Sequence, residues 1–238
     1  MSGHSKWKTI KHKKAAADAQ RSRIFTKIIK EITVSARNGG GDPAHNPTLR
    51  SLLDKAKSEN MPSDNVVRAI KKGTGELPGV HYESYSYEGY GPGGIAIIAE
   101  VLTDNKNRAV SEIRSTFTRK GGSLAENGAV SWMFDRCGVV HGTSATMKED
   151  DILEALIDFD IKDISFEDDQ WTITCEPSEL EKVKTVLKAH DFVIQEADLE
   201  LVAKSHITVT PAQEEQAFTF LEALEDLDDV QNVYTNLG

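Results

Sequence analysis

Residues 138–202, GVVHGTSATMKEDDILEALIDFDIKDISFEDDQWTITCEPSELEKVKTVLKAHDFVIQEADLELV, carry the pattern that decides the fold. Val139 and Val140 open a strand pattern, Lys148 to Asp158 turns helical, and Ile161 to Phe166 and Trp171 to Cys175 are β-rich runs parted by an acidic turn. Ser178 to His190 returns to helical spacing, and Phe192 to Glu196, extending toward Val202, is strand-like again. Apolar residues three and four apart mark the helices, and β-branched or aromatic runs bounded by turn residues mark the strands. The resulting order, βαββαβ, is the split arrangement of ferredoxin-like domains.

Downstream of this unit the chain has elements that cannot close a core by themselves. These are a short strand pattern at Ile207 to Val209, a helix opened by Pro211 and running to Asp226, and a strand at Val230 to Tyr234. Upstream, Tyr82, Tyr85 and Tyr87 lead through a glycine-rich turn into the apolar run Ile95 to Leu102. Asp104-Asn105 then caps a helix from Lys106 to Lys120, and Ala129 to Phe134 reads as a strand. The economical solution is that the C-terminal stretch returns to complete the upstream unit. Residues 78–135 plus 206–238 then form a middle α+β domain, and residues 136–205 are an inserted α+β domain; sequential domains are the alternative. Gly89, Gly91 and Gly94 satisfy GxGxxG, but a dinucleotide site needs a helix directly after the glycines, and a strand pattern follows instead.

Residues 1–77 are helical. Ile24, Phe25, Ile28, Ile29, Ile32 and Ala36 fall in one sector of about 140°, with Arg23, Lys27, Lys30 and Arg37 opposite. Asn46-Pro47 starts a second helix, roughly Thr48 to Asn60, and Ser63-Asp64 a third, about Asn65 to Lys72, stopped by Gly73. Three helices on short connections read as a small bundle, so the fold class is α+β in three domains: an N-terminal three-helix bundle plus two α+β, ferredoxin-like domains.

The charge pattern points to function. Residues 1–75 hold 16 Lys and Arg against 6 Asp and Glu, although the whole chain has a net charge of −10. Ahead of the first helix stand Lys6, Lys8, Lys11, Lys13 and Lys14, interleaved with Trp7 and His12, and Arg21 and Arg23 follow. A basic arm with an indole in it is a footprint for polyanion, because stacking on a base contributes roughly 1 to 3 kcal/mol. A Lys-rich terminus also reads as a solvated tail. The predicted nucleic-acid contacts are Lys6, Trp7, Lys8, Lys11, His12, Lys13, Lys14, Arg21, Arg23, Lys27, Lys30 and Arg37. Lys106, Arg108, Arg114, Arg119 and Lys120 form a basic island within the acidic two-thirds, readable as a second contact or as a solvated face.

Cys137 and Cys175 have neither CxxC spacing nor the density of a disulfide scaffold. No HExxH, GxSxG or P-loop is present, and the acids from Asp158 to Asp169 lack EF-hand spacing. The expectation is a non-enzymatic protein with no cofactor and no metal. With no apolar run of membrane-spanning length and no secretory pattern, it is expected in the cytoplasm.

The blocks GHSKWKTIKHKK, RSRIFTKIIKEITVSAR, NMPSDNVVRAIKKG, YEGYGPGGIAIIAE, TDNKNR and GGSLAENGAVSWMF, in order between residue 3 and about residue 135, resemble the YebC family of gene-expression regulators. The resemblance implies three domains, the last stretch returning to the middle one, and no catalysis. It also implies a nucleic-acid partner: duplex DNA, as for members described as transcriptional regulators, or ribosomal RNA and the ribosome, as for a mitochondrial translational activator.

Overall fold

The computed structural model of the protein describes residues 18–167 and 169–238. Its first three helices are α1 (Asp18–Gly39), α2 (Pro47–Ser58) and α3 (Ser63–Gly73). Ile28 and Ile32 of α1 pack on Leu49 and Ala56 of α2, on Met61 and on Ala69 of α3, as the helical period of those residues requires. Asn46 caps α2 by accepting from the Leu49 amide at 3.0 Å, while its own amide group donates to the carbonyls of Ser35 and Gly40. The cap thus fixes α2 to the end of α1. Gly73 is required at the α3 terminus, since a Cβ there would collide with the Thr33 carbonyl of α1.

The remaining elements are β1 (Glu83–Tyr90), β2 (Ala96–Thr103), α4 (Lys106–Arg119), β3 (Ser123–Leu124), β4 (Phe134–Thr143), α5 (Glu149–Ala155), β5 (Ile161–Glu167), β6 (Gln170–Cys175), α6 (Leu180–Ala189), β7 (Val193–Ala203), α7 (Pro211–Glu225) and β8 (Val230–Thr235). They form an α+β structure with two antiparallel four-stranded sheets, ordered β3-β1-β2-β8 and β5-β6-β4-β7. In the second sheet β6 separates β4 from β5, the strands that α5 connects, which is the split βαββαβ topology. In the first, β8 pairs with β2, so the C-terminal stretch closes a sheet begun more than a hundred residues earlier.

β2 explains why these parts adhere. Ile97, Ala99 and Val101 on one face meet Ile113 and Phe117 of α4 and Phe220, Leu221 and Leu224 of α7. The rings of Phe117 and Phe220 meet edge to face with centroids 5.0 Å apart. Ala96 and Ile98, on the opposite face, meet Phe134 and Ala203 of the second sheet together with Tyr234. A strand buried on both faces is a continuous apolar run rather than an alternating one.

Two local expectations change. Residues 129–134 are not a strand: a turn leads into a 3-10 segment, Ser131–Met133, and β4 begins only at Phe134. The cause is Glu88, buried in β1. Its carboxylate accepts from the amides of Gly128 (2.8 Å), Val130 (2.7 Å) and Ser131 (2.9 Å), removing donors a strand ladder would use. Burial alone would raise the Glu88 carboxyl, yet these three bonds hold it below the ordinary range. Ile207 to Val209 supplies one isolated bridge, Ile207 to Leu237, before Pro211 opens α7. As expected, a glycine-rich turn joins β1 to β2, with Gly93 and Gly94 at φ of 77° and 78°, and a strand rather than a helix follows.

Candidate nucleic-acid interface

Five of the predicted contacts, Arg21, Arg23, Lys27, Lys30 and Arg37, lie on α1. Lys6, Trp7, Lys8, Lys11, His12, Lys13 and Lys14 lie outside the described residues. Burying Ile28, Ile32 and Ala36 on one side of α1 turns Arg23, Lys27, Lys30 and Arg37 outward from the bundle. Outward from the bundle is not outward to water. That face lies against the end of the first sheet, where α7 stops and the chain turns into β8.

The contacts form a graded series along the helix. Arg23 pairs with Asp226 just beyond α7. Lys27 donates to the Glu225 carbonyl at 2.9 Å, a cation on the negative end of α7. Lys30 is 7% exposed; its ammonium donates to the Asp228 carbonyl at 2.8 Å and to the Asp229 carboxylate at 2.7 Å. Arg37 donates to the Val80 carbonyl at 2.9 Å, on the segment leading into β1. The expectation that this face is open to phosphate is therefore corrected for Lys30, which no external anion can reach. Arg23, Lys27 and Arg37 already have partners within the chain, and of the five only Arg21 is classed as exposed.

Asp229 is the focus of the clamp. Besides Lys30 it accepts from the Thr103 hydroxyl at 2.9 Å and from Arg108 at 2.8 Å, and its side chain is 4% exposed. Burial pushes its carboxyl upward, but hydrogen bonds from Lys30, Arg108 and Thr103 outweigh it and hold the group below the usual carboxylate range. Arg108 is raised in turn by Asp229 and Asp104. Sequence reasoning missed Asp226 and Asp229 altogether. The available signal was the acidic segment Glu225–Asp229, whose charge complements the α1 face.

Elsewhere in the bundle Arg68 and Lys71 are exposed on the outer face of α3, beside an exposed Val67. On α4 the basic island divides. Lys106 lies over the Tyr85 ring at 4.7 Å and Arg108 is bound by Asp104 and Asp229, whereas Arg114, Arg119 and Lys120 are exposed.

Comparison with known proteins agrees with this architecture. Residues 5–76 match the TACO1/YebC protein N-terminal domain and residues 82–237 the TACO1/YebC second and third domain. A probable transcriptional regulatory protein of Trichlorobacter lovleyi is 52% identical over 236 residues, covering 99% of this chain and 95% of its own length. One of Chlorobaculum parvum, with the same name, is 47% identical, covering 100% and 95%. The crystal structure of a conserved hypothetical protein from Aquifex aeolicus, 40% identical, superimposes with a TM-score of 0.86 over 94% of this chain and 93% of its own. The two matched segments meet where α3 ends and β1 begins, and together they take in the clamp and both sheets: the chain belongs to the TACO1/YebC family of gene-expression regulators.

Proposed function

We propose that the protein regulates gene expression by binding nucleic acid through the arm of residues 6–14 together with Arg21, and that it binds without catalysing a reaction. The observation that carries this reading is the engagement of Arg23, Lys27, Lys30 and Arg37 by the body. With those four engaged, the reading falls on the five lysines that the sequence places before Asp18, with no acid among them. The clamp supplies a fixed base from which the arm reaches a polyanion, and the acidic remainder of the chain keeps the contact local.

Duplex DNA is the partner that the relatives' names support, and α3, with Arg68 and Lys71 exposed, is the element that would approach its bases. RNA of the ribosome is the second reading. Trp7 favours it, since an indole stacks on unpaired bases, which structured RNA offers and a closed duplex does not. In either case the protein works in the cytoplasm, and no described helix is long and apolar enough to cross a membrane.

The test is a competition titration near physiological salt, with a labelled promoter-region duplex challenged by ribosomes and by non-specific duplex. Retention against about a thousandfold excess of non-specific DNA identifies sequence readout. Displacement by ribosomes alone identifies the RNA reading. A protein that binds neither removes the proposal.

A further inference from the structure

The outer face of α4 presents Val110, Ser111, Arg114, Ser115, Thr118 and Arg119 to an open space of about 400 Å³, and Lys120 follows as the cap at the C-terminal end of the helix. The cations at the start of the helix are committed, Lys106 to Tyr85 and Arg108 to Asp104 and Asp229. Arg114, Arg119 and Lys120 are exposed and have no carboxylate partner among the described residues. Ile113, Thr116 and Phe117 fix the opposite side of the helix in the core, so these three charges are displayed from a rigid element. Glu112 is the single acid on α4.

We propose that this face is a second nucleic-acid contact, taking the ribose-phosphate backbone of one RNA strand; the inference rests on the nucleic-acid reading above, in its RNA form. Three observations select that partner. Charge complementarity calls for a polyanion, in a part of the molecule that is otherwise acidic. The strip is narrow: it is one helix wide, about 10 Å, with the exposed Glu215 on α7, its neighbour on the same sheet face. One strand fits such a lane, whereas a broad duplex would extend beyond it. The hydroxyls add a chemical preference. Thr118 donates to the Arg114 carbonyl at 3.0 Å, which leaves its oxygen free to accept. A phosphate oxygen cannot donate to it, but a ribose 2′-hydroxyl can, and deoxyribose has none.

The experiment measures binding of a labelled unpaired RNA strand, and of the DNA strand of the same sequence, across a salt series. The full chain is compared with Arg114→Gln/Arg119→Gln/Lys120→Gln and with Lys11→Ala/Lys13→Ala/Lys14→Ala. The α4 variant is expected to weaken RNA binding on the order of tenfold and to flatten the slope of log K against log salt by about 2, three contacts at about 0.7 each. The DNA strand should lose less. Arg114→Lys/Arg119→Lys, which keeps the charge, should retain most of the slope, and unchanged thermal unfolding of each variant shows that the fold is intact. An α4 variant that binds like the unmodified chain while the arm variant weakens overturns this inference alone. Equal losses on RNA and DNA overturn the choice of RNA. No binding of either probe by the unmodified chain overturns the proposed function and this inference with it.

Discussion

At the scale of single residues, the sequence placed Lys30 on the correct side of its helix, since a wheel needs only the spacing of Ile28, Ile32 and Ala36. It could not show that Asp229, distant in sequence, occupies the space above that side. The pair is buried, with side chains 9% and 4% exposed, so removing one partner leaves an uncompensated charge, a loss of about 3 to 5 kcal/mol in the general case. Arg108 and Thr103 still hold Asp229 when Lys30 is gone. Lys30→Ala is therefore expected near the lower end, about 3 kcal/mol, read as a shift of the urea midpoint. Glu88 gives a comparable case with a pH signature. Glu88→Gln turns a donor toward amides that need an acceptor and should cost about 1 to 3 kcal/mol. Because the folded-state carboxyls of Glu88 and Asp229 lie below their unfolded values, their contribution is complete above about pH 4 to 5 and is lost as pH falls through the folded values. Acid unfolding followed by circular dichroism should begin below about pH 4 in the unmodified protein. Glu88→Gln, lacking one of the two titrating groups, should show a shallower dependence there.

At the scale of elements, legibility followed how local the determining forces are. The six-element run of the second sheet was readable because each strand and helix keeps its own period and the split βαββαβ order admits few topologies. The second helix of the bundle was readable from Asn46 and Pro47 at its start, whereas the third begins at Ser63 itself, after Pro62 and with no side-chain cap, two residues earlier than expected. Residues 129–134 were misread because Ala129, Val130, Trp132, Met133 and Phe134 look like strand, while the force that bends them comes from Glu88 in another element. The glycine turn was legible in the opposite sense, since the apolar run after it argued against a phosphate loop. Its glycines answer to packing and conformation. Gly93 has φ of 77°, and a Cβ there would stand 2.8 Å from Val209 Cγ1. Gly93→Ala should cost roughly 1 to 3 kcal/mol through left-handed strain and overpacking, measured by thermal unfolding. A specific change in binding of a nucleotide such as ATP, with stability unaltered, would contradict this account of the turn.

At the scale of the whole molecule, the basic N-terminal third and acidic remainder suggested a surface dipole, and the structure shows part of it neutralised internally by the α1 clamp. A second tie joins the bundle to the other sheet. Lys55 of α2 lies 3.9 Å from Glu31 of α1 and 3.6 Å from Asp198 of β7. Burial would lower the Lys55 ammonium, yet Glu31, Asp198 and Glu196 raise it. Burial raises Glu31, with Asp198 adding to the shift and Lys55 opposing it. The ammonium thus permits carboxylates from two domains to share one junction. In Lys55→Met they face each other without it. Because Lys55 is about a third exposed, solvent screens the loss, and about 1 kcal/mol is expected, or a fall in Tm of about 2 to 4 °C at neutral pH. The pH dependence separates this from a packing defect. Glu31 has a folded-state value above its unfolded one, so the folded form takes up a proton first as pH falls, and the repulsion with Asp198 disappears. Without Lys55 to oppose it, that uptake begins at higher pH. Calorimetry of Lys55→Met should therefore show the deficit shrinking as pH falls from neutrality, before the lowered carboxyls of Asp229 and Glu88 are protonated. Adding Glu31→Gln should remove the deficit's pH dependence. A deficit that does not change with pH would assign the loss to the Lys55 stem rather than to its charge.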